Sequence, residues 1–420
     1  KAKIRIMSVT KDCYAIVEQD KGINYAYGAL NGFSRSLMKE MNRYCMKIID
    51  LDETSMEQKY IISLLKTEMS NNQKLLIGYR NGSRFVQKVQ SKEIKSECEK
   101  TVFEDNKQYI IVGGMGGIGR KIISKITKNT NSHIIVIGRK KREELNDIAD
   151  CLIRESKIEY YSCNISDYYS IKNCIDEIKQ EYGSIHGIIH AAGIVEDQYL
   201  INKQLDSFKK VLSPKILGAY YLNELTKDEA LDFFIVFSSI VSIVGNSGQA
   251  DYAAANSFLD ALIQYRQKNK FHGKSIGINW TLWTNGGMGR AKSIEQNFKK
   301  RFGTIDDKAA MKGLETIMKQ DSGQYIVSDN SDAFDNTIHA EELDKIEKDE
   351  EKQIKKAENK IMELLKLKLL SLLADVIQVS QDELDDHTDL REYGLESIML
   401  SNFSERISEL LHASISPTIF

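Results

Sequence analysis

Three polar side chains near the middle of the sequence have the types and spacing of a proton-transfer site. The segment from Phe237 to Asn256, FSSIVSIVGNSGQADYAAAN, ends a strand-like run in two serines and places Tyr252 13 residues after Ser239. A phenol in a cleft can give a proton to a carbonyl oxygen while a hydride reaches the carbon. Ser239 would hydrogen-bond the same oxygen, and Asn256, one helical turn beyond Tyr252, would continue a proton path.

A fourth residue, Lys215 in VLSPKILGAYYL, is the candidate cation of this site. A nearby ammonium stabilises a phenolate and so makes the phenol a better proton donor. Taken singly, these residues are typical of ordinary structure: a serine at a strand end, a tyrosine on a helix, a lysine on a surface. Their order and spacing together favour the catalytic interpretation.

An apolar strand runs into a glycine-rich loop and then into a helical pattern in YIIVGGMGGIGRKIISKI. Small residues there let the backbone approach a pyrophosphate, and the helix N-terminus supplies amide donors. The alternative is a tight strand-to-helix turn without a ligand. The strand before the loop and the helix after it favour a bound dinucleotide. The candidate contacts are Gly113, Gly114, Met115, Gly116, Gly117, Ile118 and Gly119.

The next strand-like run, HIIVIGRKK, ends in two basic residues, Arg139 and Lys140. A dinucleotide with a free ribose hydroxyl usually meets an acidic side chain at this point, whereas a guanidinium accommodates a 2′-phosphate. The pattern therefore predicts NADPH rather than NADH. The alternative interpretation is a solvated basic turn.

These residues need a scaffold, and the alternation of elements predicts one. Strand-like HIIVIGR, EYYSCNIS, GIIHAAG, DFFIVFSS and SIGINW alternate with helix-like stretches, which predicts a doubly wound, Rossmann-like parallel sheet over residues 99–330. Residues 1–98 carry short apolar and helix-like stretches without a phosphate-binding loop, which predicts a smaller α/β layer. Residues 331–359 are dense in mixed charge and predict a solvated linker. Amphipathic patterns in residues 360–420 predict a short all-α piece.

The composition excludes a general affinity for polyanions. Among 420 residues, 58 are Lys or Arg and 60 are Asp or Glu, so the net charge of -2 gives no field that would attract nucleic acid or an anionic membrane. The six cysteines lie without a CxxC pair or a histidine cluster, so neither a zinc site nor a disulfide framework is predicted. The sequence shows no leader-like start and no apolar run near the roughly 20 residues that span a bilayer, which predicts a cytoplasmic protein.

With these motifs, residues 100–330 resemble the ketoreductase domains of modular polyketide synthases, members of the short-chain dehydrogenase/reductase superfamily. In most of that superfamily the lysine follows the tyrosine by four residues, whereas here YAAAN places Asn256 after Tyr252, and Lys215 lies upstream. That exchange is typical of the synthase ketoreductases. Residues 1–95, including GFSRSLMKE and YRNGSRFV, are similar to the family's structural subdomain. The resemblance makes this subdomain a truncated Rossmann-like scaffold without cofactor, here lacking its first strands.

The resemblance also implies the configuration of the product. Related reductases that place the hydroxyl in the D configuration carry an LDD motif after the strand that corresponds to GIIHAAG. Asp197 in IVEDQYL matches the last acid of that motif, and Val195 and Glu196 replace the first two residues. The opposite type is usually marked by a tryptophan eight residues before the tyrosine, where Val244 stands. A D-hydroxyl, or B-type, product is therefore expected, while the alternative role for Asp197 is a helix cap.

Further positions are implied to contact the cofactor or the substrate. Asn164 stands where relatives often carry an Asp near the adenine, which predicts an altered contact rather than lost binding. Trp283 and Met288, in and after NWTLWTNGGMG, would give apolar contact to a thioester arm or would pack in the core. The remaining cofactor candidates are Ile165, Ala191, Ala192 and Gly193.

The last part of the sequence resembles an acyl carrier domain without its later helices. In GLESIML, Ser397 would begin a helix and carry a 4′-phosphopantetheine arm, whose phosphate a helix N-terminus favours. Glu396 replaces the family's usual Asp. In isolation a serine here predicts an ordinary N-cap. The apolar first helix, the acidic loop DELDDHTDL and the following SPTIF match the family's order and favour the carrier.

The resemblance implies an enzyme that reduces the β-keto group of an acyl thioester on a carrier domain, beside other polyketide synthase domains. Lys215 would tune the tyrosine and contact the cofactor ribose. A catalytically silent scaffold is the alternative, although inactive relatives usually lose the tyrosine, the serine or the glycine loop. A free-standing dehydrogenase for small alcohols is a third interpretation, opposed by the position of Lys215 and by the carrier segment.

Overall fold

A computed structural model gives the fold of the chain, which divides into two compact units, Lys1–Ile338 and His339–Phe420. The predicted linker at 331–359 lies outside the residues that the structure describes. Those residues are 4–20, 22–41, 43–56, 58–70, 75–90, 102–145, 158–284, 302–328, 363, 365–381, 384, 397–411 and 415.

A four-stranded sheet forms the first part of the larger unit. Its strands lie in the order β1 (Ile4–Lys11), β2 (Tyr44–Leu51), β3 (Leu76–Arg80) and β4 (Ser83–Val86). The first three are parallel, and β4 returns antiparallel to β3 through Asn81 and Gly82, both at positive φ as a tight hairpin requires. Helices α1 (Ala29–Glu40) and α2 (Gln58–Ser70) belong to the same region. The small α/β layer predicted for this part of the chain is confirmed.

Arg80 is the centre of a buried ionic cluster in this sheet. Its Nη2 lies 2.7 Å from Asp50 Oδ2, and its Nε lies 2.8 Å from Asp20 Oδ1. The guanidinium also donates to the backbone carbonyls of Tyr14 and Asp50, and Asp50 accepts from the backbone N–H of Cys13. The three charged side chains are at most 5% exposed. Each buried charge therefore has both an opposite charge and hydrogen-bond partners, which a charge in a protein interior requires.

A seven-stranded sheet forms the second part, and each pair of neighbouring strands in it is parallel. Because both faces are covered, its strands are continuous apolar runs such as FFIVF. The strands are β5 (Gln108–Val112), β6 (His133–Gly138), β7 (Ile158–Ser162), β8 (Gly187–His190), β9 (Phe233–Ser239), β10 (Lys274–Trp280) and β13 (Gly323–Val327), with a small parallel pair β11 (Leu282–Trp283) and β12 (Thr304–Ile305). Their order in the large sheet is β13-β10-β9-β8-β5-β6-β7, so the doubly wound sheet predicted from the alternation is confirmed.

Helices pack on both faces of the large sheet. They are α3 (Gly117–Asn129), α4 (Tyr168–Tyr182), α5 (Leu205–Thr226), the short α6 (Val241–Val244), α7 (Ala250–Lys268) and α8 (Asp307–Met318). Alternate residues of β5 show the two faces, because Ile111 packs in one apolar cluster with α3 and α8, and Ile110 packs in another with α4, α5 and α7. Two of these helices begin at aspartate caps, where Asp167 accepts from Ser170 N and Asp306 accepts from Ala309 N.

Helix α7, which carries Tyr252, is buried along most of its length, and α1 of the first sheet packs against it. Glycines make this close contact possible. A Cβ at Gly32 would lie 2.1 Å from the carbonyl oxygen of Ala253, and a Cβ at Gly28, the residue just before α1, would lie 2.4 Å from the Cβ of Ala261. The two sheets of the larger unit are therefore joined by a helix pair that tolerates no larger side chain at these positions.

The described residues of the smaller unit include two helices. Residues 365–377 form one helix, and Ser397–Leu411 form helix α9. Leu373, Phe403 and Ile407 are buried together between them. This agrees with the all-α piece predicted for the C-terminal region.

Within the described ranges no helix is long and apolar enough to cross a membrane. The same residues contain no group of three or more His, Cys, Asp and Glu side chains that could hold a metal ion.

Candidate active site

A cleft of about 560 Å³ opens at the carboxyl ends of strands of the large sheet. Strand β5 lies between β6 and β8, and the chain reaches β8 only after β7, so the strand order reverses between β5 and β8. In open α/β sheets, ligands bind outside the carboxyl ends of the strands at such a reversal. Both the glycine loop and the three side chains of Lys215, Ser239 and Tyr252 line this cleft.

Two glycines let the loop pack closely on itself and on Ala192 at the edge of the cleft. Gly113 has φ +78°, and a Cβ there would lie 2.8 Å from Ala192 Cα. At Gly119 a Cβ would lie 2.5 Å from the Cα of Gly114. Helix α3 begins at Gly117, and its first backbone N–H groups have no acceptor within the helix. A side-chain-free cradle at a helix N-terminus suits a phosphate, so these residues fit the dinucleotide that the sequence predicts.

Arg139 and Lys140 lie at the exposed rim of the cleft, directly after β6. The backbone from which they project is fixed by Tyr160. A Cβ at Gly138 would lie 2.7 Å from the Tyr160 hydroxyl oxygen, and that hydroxyl donates to the Lys140 carbonyl at 2.6 Å. Because Gly138 packs closely under Tyr160, the backbone from which the Arg139 and Lys140 side chains project is held in one position.

Lys215, Ser239 and Tyr252 come from three elements, α5, the end of β9 and the first turn of α7. The Nζ atom of Lys215 lies 5.7 Å from the centroid of the Tyr252 ring. The same ammonium donates to the carbonyl of Phe237 at 2.6 Å, which ties it to the strand that ends in Ser239. The three side chains are between 3% and 7% exposed. The fold thus brings together residues separated by up to 37 positions in the sequence.

The surroundings of Lys215 favour its neutral form. Burial lowers the pKa of Lys215 to about 7, and the negative charge of Asp260 opposes that shift. Gly193 allows the lysine stem to pass, because a Cβ there would lie 2.8 Å from Lys215 Cε. His190 is also buried nearby, and burial with the charge of Lys215 lowers the pKa of His190 to about 3, so this imidazole stays neutral. A lysine with a pKa near 7 can both hold and release a proton at neutral pH.

Asn256 lies one turn after Tyr252 on α7 and is fully buried. Its Nδ2 donates to the Tyr252 carbonyl at 2.7 Å. Its Oδ1 is buried and has no hydrogen-bond partner among the residues that the structure describes. Asn256 does not line the cleft, and its unpaired buried oxygen is an acceptor that an ordered water can satisfy. The arrangement is compatible with the predicted proton path.

A buried carboxylate behind the site was not foreseen from the sequence. Asp260 accepts from the Ser242 hydroxyl at 2.6 Å and from Asn279 Nδ2 at 3.0 Å. Burial raises the pKa of Asp260 to about 6, although its hydrogen bonds and Lys215 oppose the shift. The signal that could have found it is its spacing, four residues after Asn256 on the same helix face.

Asp197 is exposed and is bound to the loop that precedes Tyr252. Its Oδ1 accepts from Gln249 Nε2 at 2.8 Å, and the neighbouring Gln198 N–H donates to the Gly248 carbonyl at 2.8 Å. It caps no helix, because the cap residues of the two following helical turns are Tyr199 and Gln204. Neither Asp197 nor Gln249 lines the cleft.

The other residues that were predicted to contact the cofactor or the substrate, or to carry the arm, differ in exposure and in their position relative to the cleft. Asn164 is exposed, does not line the cleft, and uses its Oδ1 to accept from Ser166 N at 3.2 Å. Trp283 is buried, lines the cleft, and packs edge-on against Trp280 with 5.1 Å between ring centroids. Met288 lies outside the described residues, and Ser397 is the first residue of α9.

The rest of the cleft lining contains predicted and unforeseen residues. Gly114 does not line the cleft, because it packs beneath the loop against Val136. Of the predicted set, the lining includes Met115, Gly116, Ile118, Ile165, Ala191 and Gly193, and it also includes the unforeseen Leu145, Tyr160, Cys163, Pro214, Thr281 and Leu282.

Three features define a Rossmann-type reductase of the kind that uses a nicotinamide dinucleotide. They are the parallel sheet with its reversal of strand order, the glycine loop and the buried serine, tyrosine and lysine. Residues 107–285 match the family model of the KR domain, and residues 368–420 match that of the phosphopantetheine attachment site. Residues 107–285 are thus a polyketide synthase ketoreductase domain, and a phosphopantetheine-binding carrier domain follows it.

Similar sequences are found in synthases of several bacteria. The chain is 29% identical over 423 residues to polyketide synthase PksN of Bacillus subtilis (strain 168), a match that covers 96% of this chain and 8% of PksN. It is 35% identical over 188 residues to polyketide synthase ThaG of Burkholderia thailandensis, covering 44% of this chain and 3% of ThaG. The chain thus spans less than a tenth of the length of these relatives.

Solved structures share the same architecture. A ketoreductase domain from the bacillaene assembly line superposes with a TM-score of 0.72 at 26% identity, covering 80% of each chain. An N-terminal ketoreductase from the macrolactin assembly line superposes with a TM-score of 0.67 at 25% identity, covering 80% of this chain and 66% of the other. A structure described as A-type ketoreductases superposes at 21% identity, which reports on the fold and not on the configuration of the product.

Proposed function

We propose that this chain reduces the β-keto group of an acyl thioester held on a carrier domain, with NADPH as hydride donor and a D-hydroxyl product. The observation that supports the reaction is the cleft that joins the glycine cradle to buried Tyr252, Ser239 and Lys215. A proton donor, a second hydroxyl and a cation beside a dinucleotide cradle are what reduction of a ketone requires.

In this proposal NADPH supplies the hydride, and the side chains of this protein handle the carbonyl oxygen and its proton. Ser239 donates a hydrogen bond to the ketone oxygen and so orients it. Tyr252 gives its phenolic proton to that oxygen as negative charge develops there. Lys215, 5.7 Å from the Tyr252 ring centroid and with a pKa near 7, restores the proton. Asn256, with its buried Oδ1, holds the water through which solvent reprotonates the pair.

The proposed preference for NADPH rests on Arg139. Replacing Arg139 with alanine is expected to raise the KM for NADPH by about 10- to 100-fold, because a charge-assisted hydrogen bond to phosphate contributes about 1.5–3 kcal/mol. The KM for NADH, which has no 2′-phosphate, should change little. The matched control is Arg142→Ala, an exposed arginine three residues away that does not line the cleft. Equal changes in both KM values would contradict the role given to Arg139.

The proposed D configuration rests on Asp197 and Val244. Asp197 is bound through Gln249 to the loop before Tyr252, and Val244 is buried where the other type carries a tryptophan. The test is to incubate the chain with NADPH and a β-ketoacyl thioester and to separate the hydroxyl products by chiral chromatography. A D-alcohol is expected, and an L-alcohol would overturn the assignment. A chain that neither binds nor consumes NADPH would instead be the silent scaffold.

We also propose Ser397 as the attachment point of the phosphopantetheine arm, with NADPH-binding residues within 99–330 and the carrier within 360–420. Its support is the match of residues 368–420 to the attachment-site family and the position of Ser397 at the start of α9. Partner synthase domains would then present the acyl thioester to the reductase.

A further inference from the structure

Helix α1 of the first sheet ends at Glu40, whose carboxylate binds two loops of the reductase. Its Oε2 accepts from the backbone N–H of Leu200 at 2.6 Å, and its Oε1 accepts from that of Gly248 at 2.9 Å. Hydrogen bonds to an ionised carboxylate are about twice as strong as those between neutral groups. A single side chain thus joins two segments that lie 160 and 208 residues away from it.

The two segments are the Asp197 loop, residues 194–203, and the Tyr252 turn, residues 245–249. They also contact each other through Gln249 to Asp197 and through Gln198 N–H to the Gly248 carbonyl, both at 2.8 Å. Beside them Lys203 Nζ lies 2.6 Å from Asp251 Oδ2, and both of these side chains are 3% exposed. The residue next to Tyr252 is therefore paired with a residue of the Asp197 loop.

Other residues of α1 shape the Tyr252 turn. Lys39 Nζ donates to the Gly245 carbonyl at 3.0 Å, and the Asn246 N–H donates to the Ser36 hydroxyl at 3.1 Å. Gly245 has φ +68°, and a Cβ there would lie 2.6 Å from the backbone carbonyl carbon of Arg35. The turn is hydrogen-bonded to α1 and leaves no room for a side chain at Gly245, so the position of α1 constrains the position of the turn.

We propose that Glu40 is a positioning residue of the reduction: it holds the Asp197 loop against the Tyr252 turn and thereby sets which face of the ketone is reduced. This inference rests on the proposed function, which gives Asp197 and Tyr252 their roles. Glu40 does not line the cleft, so it acts through the two loops and not on the substrate. When one of its two bonds is lost, the Asp197 loop can shift relative to Tyr252, and a misplacement of about 1 Å can cost about 10²-fold in rate.

The test compares Glu40→Gln with Glu18→Gln in the full chain. Glutamine keeps one oxygen and turns an NH₂ group toward the second backbone N–H, so one hydrogen bond is lost. We expect Glu40→Gln to lower kcat/KM for an N-acetylcysteamine β-ketoacyl thioester by about 10- to 100-fold. It should also raise the share of the minor hydroxyl configuration and leave the Kd for NADPH unchanged. Glu18, an exposed residue of the same region, makes none of these contacts and should behave as the parent.

Two results would overturn the inference. One is a product ratio and kcat/KM equal to those of Glu18→Gln. The other is activity that falls only with the folded fraction, while the product ratio stays constant, because that is the behaviour of a merely structural residue. A mild loss of stability with a changed product ratio supports it.

Amide hydrogen exchange tests the two Glu40 bonds without turnover. We expect faster exchange at Leu200 and Gly248 in Glu40→Gln and not in Glu18→Gln, because each of these N–H groups bonds to the Glu40 carboxylate. Unchanged exchange at both amides refutes the inference even in an active enzyme. If the parent chain does not turn over the thioester, the proposed function fails, and the role of Glu40 in holding the loops is decided by exchange alone.

Discussion

Replacing Tyr252 with phenylalanine is expected to lower kcat for reduction of a β-ketoacyl thioester by about 10²- to 10⁴-fold, the usual contribution of a general acid. Phenylalanine keeps the aromatic ring, which is 6% exposed and packs in an apolar cluster with Ile240, Val244 and Phe302. The contact between the Lys215 ammonium and the ring can also persist. The variant should therefore fold and bind NADPH as the parent does, while it lacks the proton donor.

The measurement is NADPH consumption at saturating thioester, together with an NADPH titration of each variant. Tyr325→Phe is the matched control, because Tyr325 lies on β13 and does not line the cleft, and its hydroxyl donates to the Asp321 carbonyl at 2.9 Å. It should retain the parent kcat. If parent and Tyr252→Phe turn over at the same rate, Tyr252 is not the acid and the proposed mechanism is wrong.

Replacing Arg80 with methionine is expected to lower the free energy of unfolding by about 3–5 kcal/mol, the range found when one partner of a buried ion pair is removed. Methionine fills similar volume but leaves Asp50 and Asp20 without their cation, and Asp50 is fully buried. The carbonyls of Tyr14 and Asp50 also lose their guanidinium donors. Both the charge and the hydrogen-bond effects act in the same direction.

The measurement is unfolding in urea of the larger unit, followed through its transition midpoint. Arg5→Met on β1 is the control, since Arg5 is an exposed residue of the same sheet and its loss should cost no more than about 0.5 kcal/mol. Arg80→Lys should fall between the parent and Arg80→Met, because it keeps the charge and loses the forked geometry. A midpoint for Arg80→Met that equals the midpoint for Arg5→Met would show that the cluster contributes nothing to stability.

The parts of the site that could be predicted from the sequence are those carried by one contiguous segment. The glycine loop follows a strand and begins a helix within a dozen residues, and Tyr252 and Asn256 share one helical turn. Local spacing is enough to place such residues on a loop or a face. The parallel sheet was also predictable, because buried strands are continuous apolar runs. The prediction of Lys215 rested on its position upstream of Ser239 and Tyr252 in the sequence and not on local spacing.

Contacts between distant segments could not be predicted in this way. Apolar periodicity does not reveal polar contacts such as the hydrogen bonds of Glu40 to Leu200 and Gly248. The same holds for the ion pair of Lys203 with Asp251. Asn164 was predicted to contact the cofactor, but its side-chain amide accepts a hydrogen bond from the backbone of its own turn. A sequence pattern does not distinguish such a local hydrogen bond from a ligand contact. Side chains of this kind are located only when the elements that carry them are packed together.

The contact of α1 with α7 at Gly28 and Gly32 sets the smallest piece that can be exchanged between synthases. A chimaera joined at the start of β5 would place a foreign first sheet against the native α7, and any bulkier residue at the two glycine positions would collide with Ala253 or Ala261. It would also replace the helix that shapes the Tyr252 turn. A graft intended to carry this reductase should therefore begin before Ile4 and transfer both sheets together.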